Sequence, residues 1–290
     1  MPILRRPDGR ALAYEISGEP GEPVVFSIHG TPGSRLGTHP IVPGVRVVSF
    51  DRPGYGASSR QPGRDVAAVA PEVAAIADEI GAQTFTVYGV SGGGPHALAC
   101  AALLPDRVTK VASLVGVAPG DALGERWTTG MSESNVAEFA AAFAGGDALL
   151  KMLAPVGDLV RSDPDAIIEM LAEELPPADL AVLTDPDTRA GLVTAMAEGL
   201  RPGVDGWIDD DLAFVIAWGF DPALITVPTL VWHGEDDILV PIAHAHWLHE
   251  AMPHSRLVTV PDTGHLGAFG VAASVVGWLA RDTEITDVLR

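Results

Sequence analysis

Short apolar runs alternate with amphipathic stretches through the first 118 residues. The runs at 23–30 and 45–54 each end in glycine and polar residues, as buried strands that lead into loops do. From Asp65 to Gly81, apolar residues recur at spacings of three and four, which predicts an amphipathic helix closed by the glycine. Another strand, helix and strand follow, so we expect an α/β protein with a mostly parallel, doubly wound sheet.

The pattern changes at Pro119 and resumes near residue 223. Residues 119–222 show helical periodicity broken by proline and glycine, without a convincing buried strand, whereas strand and helix patterns alternate again after residue 228. We therefore expect a core formed by residues 1–118 and 223–290, with an inserted all-helical lid at 119–222.

The chain is strongly acidic, with 38 acidic and 18 basic residues and a net charge of −20. Between 119 and 222, 20 acidic residues face 5 basic ones. This balance opposes binding to nucleic acid and to anionic membranes, so we expect a small-molecule substrate as the partner. The sequence shows neither a long apolar run nor a secretory signal, which favours a cytoplasmic protein, and it does not indicate the oligomeric state.

The segment Gly89-Val90-Ser91-Gly92-Gly93 lies between a predicted strand and a predicted helix. It fits G-x-S-x-G, the nucleophile elbow, in which a sharp turn exposes the serine hydroxyl above the sheet. The backbone N–H of Gly92 would lie at the start of the helix, where it can receive negative charge. Residues 92–97 also fit a dinucleotide-binding pattern, but the acidic residue that this pattern needs is misplaced, so we expect no cofactor.

A reactive serine needs a histidine to take its proton and an acid to orient that histidine. In this fold the three follow in the order serine, acid, histidine, on loops after successive strands. The loop after one late strand supplies an acid among residues 235–237, and the loop after the next supplies His265. Alternatively, the acid of the 235–237 loop and His265 could each cap a nearby helix.

With these pieces in place, the chain resembles the α/β-hydrolase fold superfamily over nearly its whole length. The matching segments are "HGTPGS" (29–34), "DRPGYGASS" (51–59), "GVSGGG" (89–94), "HGEDDILVP" (233–241) and "GHLG" (264–267). The resemblance implies a catalytic triad of Ser91, Asp237 and His265, with Asp236 as a mere neighbour of the acid. It also implies an oxyanion hole formed by the backbone N–H groups of Thr31 and Gly92.

Other candidate sites are weaker. His244, His246 and His249 are close in sequence, but i and i+2 positions do not share a helix face, so we expect no metal site. The single cysteine, Cys100, is expected to be inert core. Six large apolar residues of the lid are expected to form its core, with a few lining the pocket: Trp127, Phe139, Phe143, Met152, Trp207 and Trp218.

The resemblance predicts a serine hydrolase of the carboxylesterase type, acting on a small and mainly neutral or apolar substrate through an acyl-enzyme. Perhydrolase or haloperoxidase-like activity and hydrolysis of activated C–C bonds could use the same triad. A non-catalytic ligand-binding protein of the same fold is the remaining alternative, because one fold hosts many functions.

Overall fold

The computed structural model describes residues 1–37 and 39–281, and in them eight strands form one sheet. The strands are β1 (Ile3–Arg5), β2 (Ala11–Ser17), β3 (Val24–Ile28), β4 (Arg46–Phe50), β5 (Phe85–Val90), β6 (Val108–Leu114), β7 (Thr229–Gly234) and β8 (Ser255–Val260). Their order across the sheet is β1-β2-β4-β3-β5-β6-β7-β8. The strands from β4 to β8 in this order are parallel, and the β1–β2 hairpin adds an antiparallel edge.

Ten α-helices accompany these strands in the described part of the chain. They are α1 (Ala70–Glu79), α2 (Gly93–Leu103), α3 (Glu133–Ala144), α4 (Gly146–Ser162), α5 (Ala166–Ala172), α6 (Pro177–Val182), α7 (Pro186–Gly199), α8 (Asp205–Val215), α9 (Ala243–Ala251) and α10 (Gly267–Ala280). The predicted 65–81 helix begins as a 3-10 turn at Val66–Val69 and continues as α1.

Side chains alternate between two apolar layers, one on each face of the sheet. In β5, Val87 packs in the layer that includes α1, α2 and α9, whereas Tyr88 packs in the layer under α10. Burial on both faces explains why the strands read as continuous apolar runs. The expected doubly wound α/β architecture is confirmed.

The chain changes direction at β3. It continues from β3 to β4 on one side and then crosses to β5 on the other, with Ile28 of β3 opposite Gly89 of β5. The loops that follow these two strands therefore diverge and leave a crevice at the carboxyl edge of the sheet, which is where open α/β sheets bind ligands.

Between β6 and β7 the structure contains helices α3 to α8 and short 3-10 turns, with no strand in that fully described stretch. The division into a core and a separate lid at residues 119 and 222 stays a prediction. Among the described residues, no helix is long and apolar enough to span a membrane.

Candidate active site

Ser91 lies in the crevice, at the turn between β5 and α2. Its φ of 54° falls in the left-handed region, which a residue with a side chain rarely adopts. The turn is so tight that a Cβ at Gly89 would lie 2.8 Å from the Gly94 backbone nitrogen, and one at Gly93 would collide with the Ile28 carbonyl oxygen. These close approaches explain why glycines flank the serine.

Asp237 and His265 meet in the loops after β7 and β8. His265 Nδ1 lies 2.7 Å from Asp237 Oδ2, while Asp237 Oδ1 accepts hydrogen bonds from the Leu239 and Val240 N–H groups at 2.9 and 2.8 Å. Asp237 therefore both orients the histidine and closes its own loop. The adjacent Asp236 is exposed.

The protonation of this pair follows from burial and mutual attraction. Burial alone would lower the pKa of His265, but the charge of Asp237 and the hydrogen bond to it raise that pKa above its usual value of 6.5. Burial alone would raise the pKa of Asp237, yet attraction to His265 and hydrogen bonds from His233 and His265 hold it well below its usual range. Asp237 is thus an anion throughout the neutral range.

Thr31 and Gly92 follow β3 and Ser91, so the crevice brings them together. A Cβ at Gly92 would lie 2.9 Å from the Thr31 Cβ. Among the described residues, neither the Thr31 nor the Gly92 backbone N–H donates a hydrogen bond to the protein. Both groups are available to an anion, as an oxyanion hole requires.

Ser91, Gly92, Thr31 and His265 all line one cavity of about 370 Å³, which is in the range of small-molecule sites. A model of the alpha/beta hydrolase fold matches residues 23–270 of the sequence.

The chain belongs to the alpha/beta hydrolase fold family.

Relatives of this alpha/beta hydrolase cover several activities. The dihydrolipoyllysine-residue acetyltransferase component of the acetoin cleaving system of Cupriavidus necator is 31% identical over 89% of this chain, which spans only 63% of that relative. A bifunctional esterase/perhydrolase of Acinetobacter calcoaceticus is 26% identical over 91% of this chain and 93% of its own. The crystal structure of the enol-lactonase of Burkholderia xenovorans matches with a TM-score of 0.67 at 20% identity, covering 99% of both chains, which supports the fold. The relatives thus share the family but differ in the activities that their names give.

A buried ionic cluster, the Asp210 cluster, lies behind the oxyanion residues. It consists of Asp210 from α8 with Arg52, Arg64, Tyr55 and Thr31. Arg52 and Arg64 (2.5 Å) form ion pairs with Asp210, and Tyr55 (2.7 Å) and Thr31 (2.5 Å) donate hydroxyl hydrogen bonds to it. Burial alone would raise the pKa of Asp210, but the two arginines hold it well below its usual range.

The Asp210 cluster also touches both predicted oxyanion residues. Arg52 donates to Thr31 Oγ1 at 2.9 Å and to the Gly92 carbonyl oxygen at 3.2 Å. His96 Nδ1 donates to the same carbonyl at 2.7 Å. A residue of the inserted helices thus fixes the backbone that would stabilise an oxyanion.

Asp179, in one of the helices between β6 and β7, contacts the loop that carries His265. Asp179 of α6 is fully buried and accepts hydrogen bonds from the backbone N–H groups of His265 (3.0 Å) and Leu266 (2.8 Å). Gly264 has no room for a side chain, because a Cβ there would collide with the Asp179 carboxylate. Asp179 therefore holds the loop that carries the histidine and satisfies free N–H groups at the start of α10.

The cavity walls are mostly apolar and come largely from the inserted helices. Of the six large apolar residues singled out in the sequence, Phe139, Met152 and Trp207 line the cavity. Trp127 and Trp218 are buried outside it, and Phe143 is exposed. The expectation that a few of them face the pocket is therefore met.

His244 has a structural role that its sequence context did not reveal. Its Nδ1 accepts from the Ala118 N–H at 3.0 Å and its Nε2 donates to the Trp127 carbonyl at 2.8 Å. Within residues 1–37 and 39–281, no group of three or more potential ligands could hold a metal ion. Cys100 is buried, which raises the pKa of its thiol well above the usual value.

Sequence reasoning missed Asp179 and the Asp210 cluster. Asp179 carries no motif. A usable signal exists for Asp210, since the acidic run Asp209–Asp211 stands between Trp207-Ile208 and Phe214, in a helix without a clear polar face.

Proposed function

We propose that the protein is a serine hydrolase that cleaves carboxylic esters of small, mainly apolar substrates through an acyl-enzyme. The observation that carries the proposal is the hydrogen bond between Asp237 and His265, beside a cavity that Ser91 and His265 both line. A strained serine, an oriented histidine and free N–H groups are the parts that acyl transfer needs.

In the first half of the reaction, Ser91 Oγ attacks the ester carbonyl carbon while His265 takes the serine proton. Nδ1 of the histidine is held by Asp237, so Nε2 is the nitrogen that receives it. The Thr31 and Gly92 N–H groups stabilise the negative charge that develops on the carbonyl oxygen. Collapse of this intermediate breaks the ester bond, and His265 gives the proton to the departing alkoxide.

In the second half, water attacks the acyl-enzyme and His265 takes its proton. The acid leaves, and the proton returns to Ser91. Asp237 remains ionised and stabilises the imidazolium in both halves. The apolar cavity wall excludes bulk water and strengthens the electrostatic interactions at the carbonyl.

We expect Ser91→Ala to abolish turnover of short-chain aryl esters without unfolding the protein, because it removes only the nucleophile. Initial rates on 4-nitrophenyl acetate and butyrate measure this, with Ser274→Ala as a control at an exposed serine. A fluorophosphonate probe should label the parent and the control but not Ser91→Ala. Undiminished turnover by the pure Ser91→Ala variant would contradict the proposal, and absence of labelling in the parent would favour a binding protein.

Perhydrolysis is a second candidate, favoured by the similarity to the esterase/perhydrolase of Acinetobacter calcoaceticus. Hydrogen peroxide would then replace water in attacking the acyl-enzyme, giving a peracid and free Ser91. Bromination of monochlorodimedone in acetate, peroxide and bromide measures the peracid. Bromination that persists in Ser91→Ala would exclude this route.

A further inference from the structure

Two carboxyl groups that the proposed chemistry does not use face each other in the cavity. Glu138 of α3 and Asp211 of α8 line the same cavity as Ser91, and the charge of Glu138 acts on Asp211. The Trp207 indole N–H also donates to Glu138 Oε1 at 2.7 Å. Helices α3 and α8 thus bring an acid pair into a mostly apolar pocket, whose lining also includes Glu173 and Glu174.

The acid pair has an unused acceptor. Asp211 is 1% exposed, yet its Oδ2 accepts no hydrogen bond from an N–H or hydroxyl group of the described residues. The neighbouring Arg64 is engaged by Asp210 and not by the pair. A buried carboxyl oxygen without a donor is costly, which indicates a place for a group that the protein itself does not supply.

Burial and the nearby charge of Glu138 raise the pKa of Asp211 well above its usual range, and burial also raises the pKa of Glu138. Loss of a proton from the pair is therefore disfavoured unless a positive charge lies nearby. A bound cation would replace a proton and let both carboxyls ionise, whereas a bound anion would add repulsion.

The pair lines the same cavity as the reacting centre. Phe214, three residues after Asp211 on α8, packs against the predicted oxyanion hole, since a Cβ at Gly92 would lie 2.9 Å from Phe214 Cζ. Residues three apart on a helix are neighbours. A group bound by Asp211 would thus share the cavity with a carbonyl held at Gly92.

We propose that Glu138 and Asp211 form a subsite for a protonated amine, so that the preferred substrate carries an ammonium group a few bonds from its scissile carbonyl. An ammonium supplies both the hydrogen-bond donors that Asp211 Oδ2 lacks and the charge that compensates the pair. A hydroxyl supplies only a donor. This inference deepens the proposed function and rests on it for the identity of the reaction, but the binding of the amine can be tested without catalysis.

The first experiment measures binding of n-pentylammonium and 1-pentanol to Ser91→Ala by calorimetry at pH 7.5. We expect the ammonium to bind roughly tenfold to a hundredfold more tightly, the range of a hydrogen bond to a charged group. Equal binding, or tighter binding of the alcohol, would overturn the subsite.

The second experiment compares kcat/KM for isosteric ethyl esters: 4-aminobutanoate, 4-hydroxybutanoate, pentanoate and monoethyl glutarate. We expect the amino ester to lead and the glutarate to be the poorest substrate. In the double variant Glu138→Gln with Asp211→Asn, which keeps shape but removes charge, the ratio of amino ester to pentanoate should fall about tenfold or more. Because both kcat/KM values are measured on the same variant, their ratio does not depend on how much of that variant is folded.

The matched control is Glu133→Gln with Asp205→Asn, which removes the same two acid types from exposed positions of α3 and α8. It should leave the ratio unchanged. Preference for the amine that survives in the Glu138 and Asp211 double variant, or that falls equally in the control, would overturn the proposal. Amine binding without turnover of any ester would instead overturn the proposed function and support the subsite.

Discussion

Asp210 and Asp211 are neighbours on α8 and almost equally buried, at 0% and 1% exposure, yet their pKa values shift in opposite directions. Asp210 faces Arg52 and Arg64 beneath the oxyanion hole and is an anion. Asp211 lines the cavity with Glu138, and burial and the charge of Glu138 raise its pKa. The difference shows that burial alone does not fix the state of an acid; the groups on its side of the helix do.

The two sides of α8 also differ in what they are suited to do. The Asp210 cluster is saturated with donors and holds backbone in place. The Glu138 and Asp211 pair is short of donors and opens into the cavity. The first arrangement suits a support and the second suits a ligand.

Asp237 is a third buried acid, and its partner is His265, which gains and loses a proton in the proposed reaction. We expect Asp237→Asn to lower kcat about 10⁴-fold, the scale seen when a triad acid becomes an amide. Asp236→Asn is the matched control at an exposed position and should change little. Equal losses of kcat in the two variants would contradict the assignment of Asp237 as the acid that orients His265.

The same variant tests the raised pKa of His265. The neutral histidine is the active base, so kcat/KM in the parent should rise with pH through a pKa above 6.5. Removing the negative charge of Asp237 removes the main attraction that raises this pKa, and the acidic limb of the profile should move to lower pH. A limb that stays in place would show that Asp237 does not control the histidine.

The free energy of unfolding is the measurement that best distinguishes Asp210 from Asp211. Asp210→Asn leaves two arginines buried without a carboxylate and should lower the free energy of unfolding by about 3–5 kcal/mol. Asp211→Asn replaces a carboxyl of raised pKa by an amide of the same shape, so it should not lower the free energy of unfolding and should raise it through proton linkage. Urea unfolding at neutral pH measures both, and equal costs would break the comparison.

Asp179 is an intermediate case, a buried carboxyl whose donors are the His265 and Leu266 N–H groups rather than arginines. Asp179→Ala leaves these N–H groups unpaired, so we expect a loss of about 2 kcal/mol and a lower kcat. Asp179→Asn keeps one acceptor oxygen, so it should retain part of the stability and part of the kcat that Asp179→Ala loses. A variant with full kcat would mean that Asp179 does not position the histidine.

The last prediction concerns the pH dependence of stability. The depressed pKa of Asp210 gives stability that is present above its unfolded value of about 3.9 and is lost as pH falls toward the folded value. The raised pKa of Asp211 has the opposite sign, so its contribution is present below about pH 3.9 and fades as pH rises toward the folded value. The stability of Asp211→Asn relative to the parent should therefore increase from pH 5 to pH 8. A flat difference would contradict a protonated Asp211.

The strands and the elbow could be predicted from the sequence because burial on both faces leaves a local apolar pattern, and a tight turn leaves glycines. The order of Ser91, Asp237 and His265 follows from the fold resemblance. The count of acidic residues between 119 and 222 does not distinguish exposed acids from Asp179 and Asp209–Asp211, which are buried. Arg60, which pairs with Asp209, and Arg52 and Arg64, which pair with Asp210, lie more than 140 positions away, and a periodicity analysis cannot pair residues at that distance.

Asp179 in α6 and Asp210 in α8 contact residues that follow strands of the sheet. The helices between β6 and β7 therefore cannot be exchanged for those of a relative without regard to these two acids. A chimera carrying the corresponding segment of a relative without these two acids would leave Arg52 and Arg64 without a counter-ion and the His265 loop without its acceptor. Substrate range in this lineage would then diversify through residues that face only the cavity, such as Met152 and Phe139, while the two acids stay in place. The segment that lines much of the cavity thus also carries the two acids that anchor it to the core.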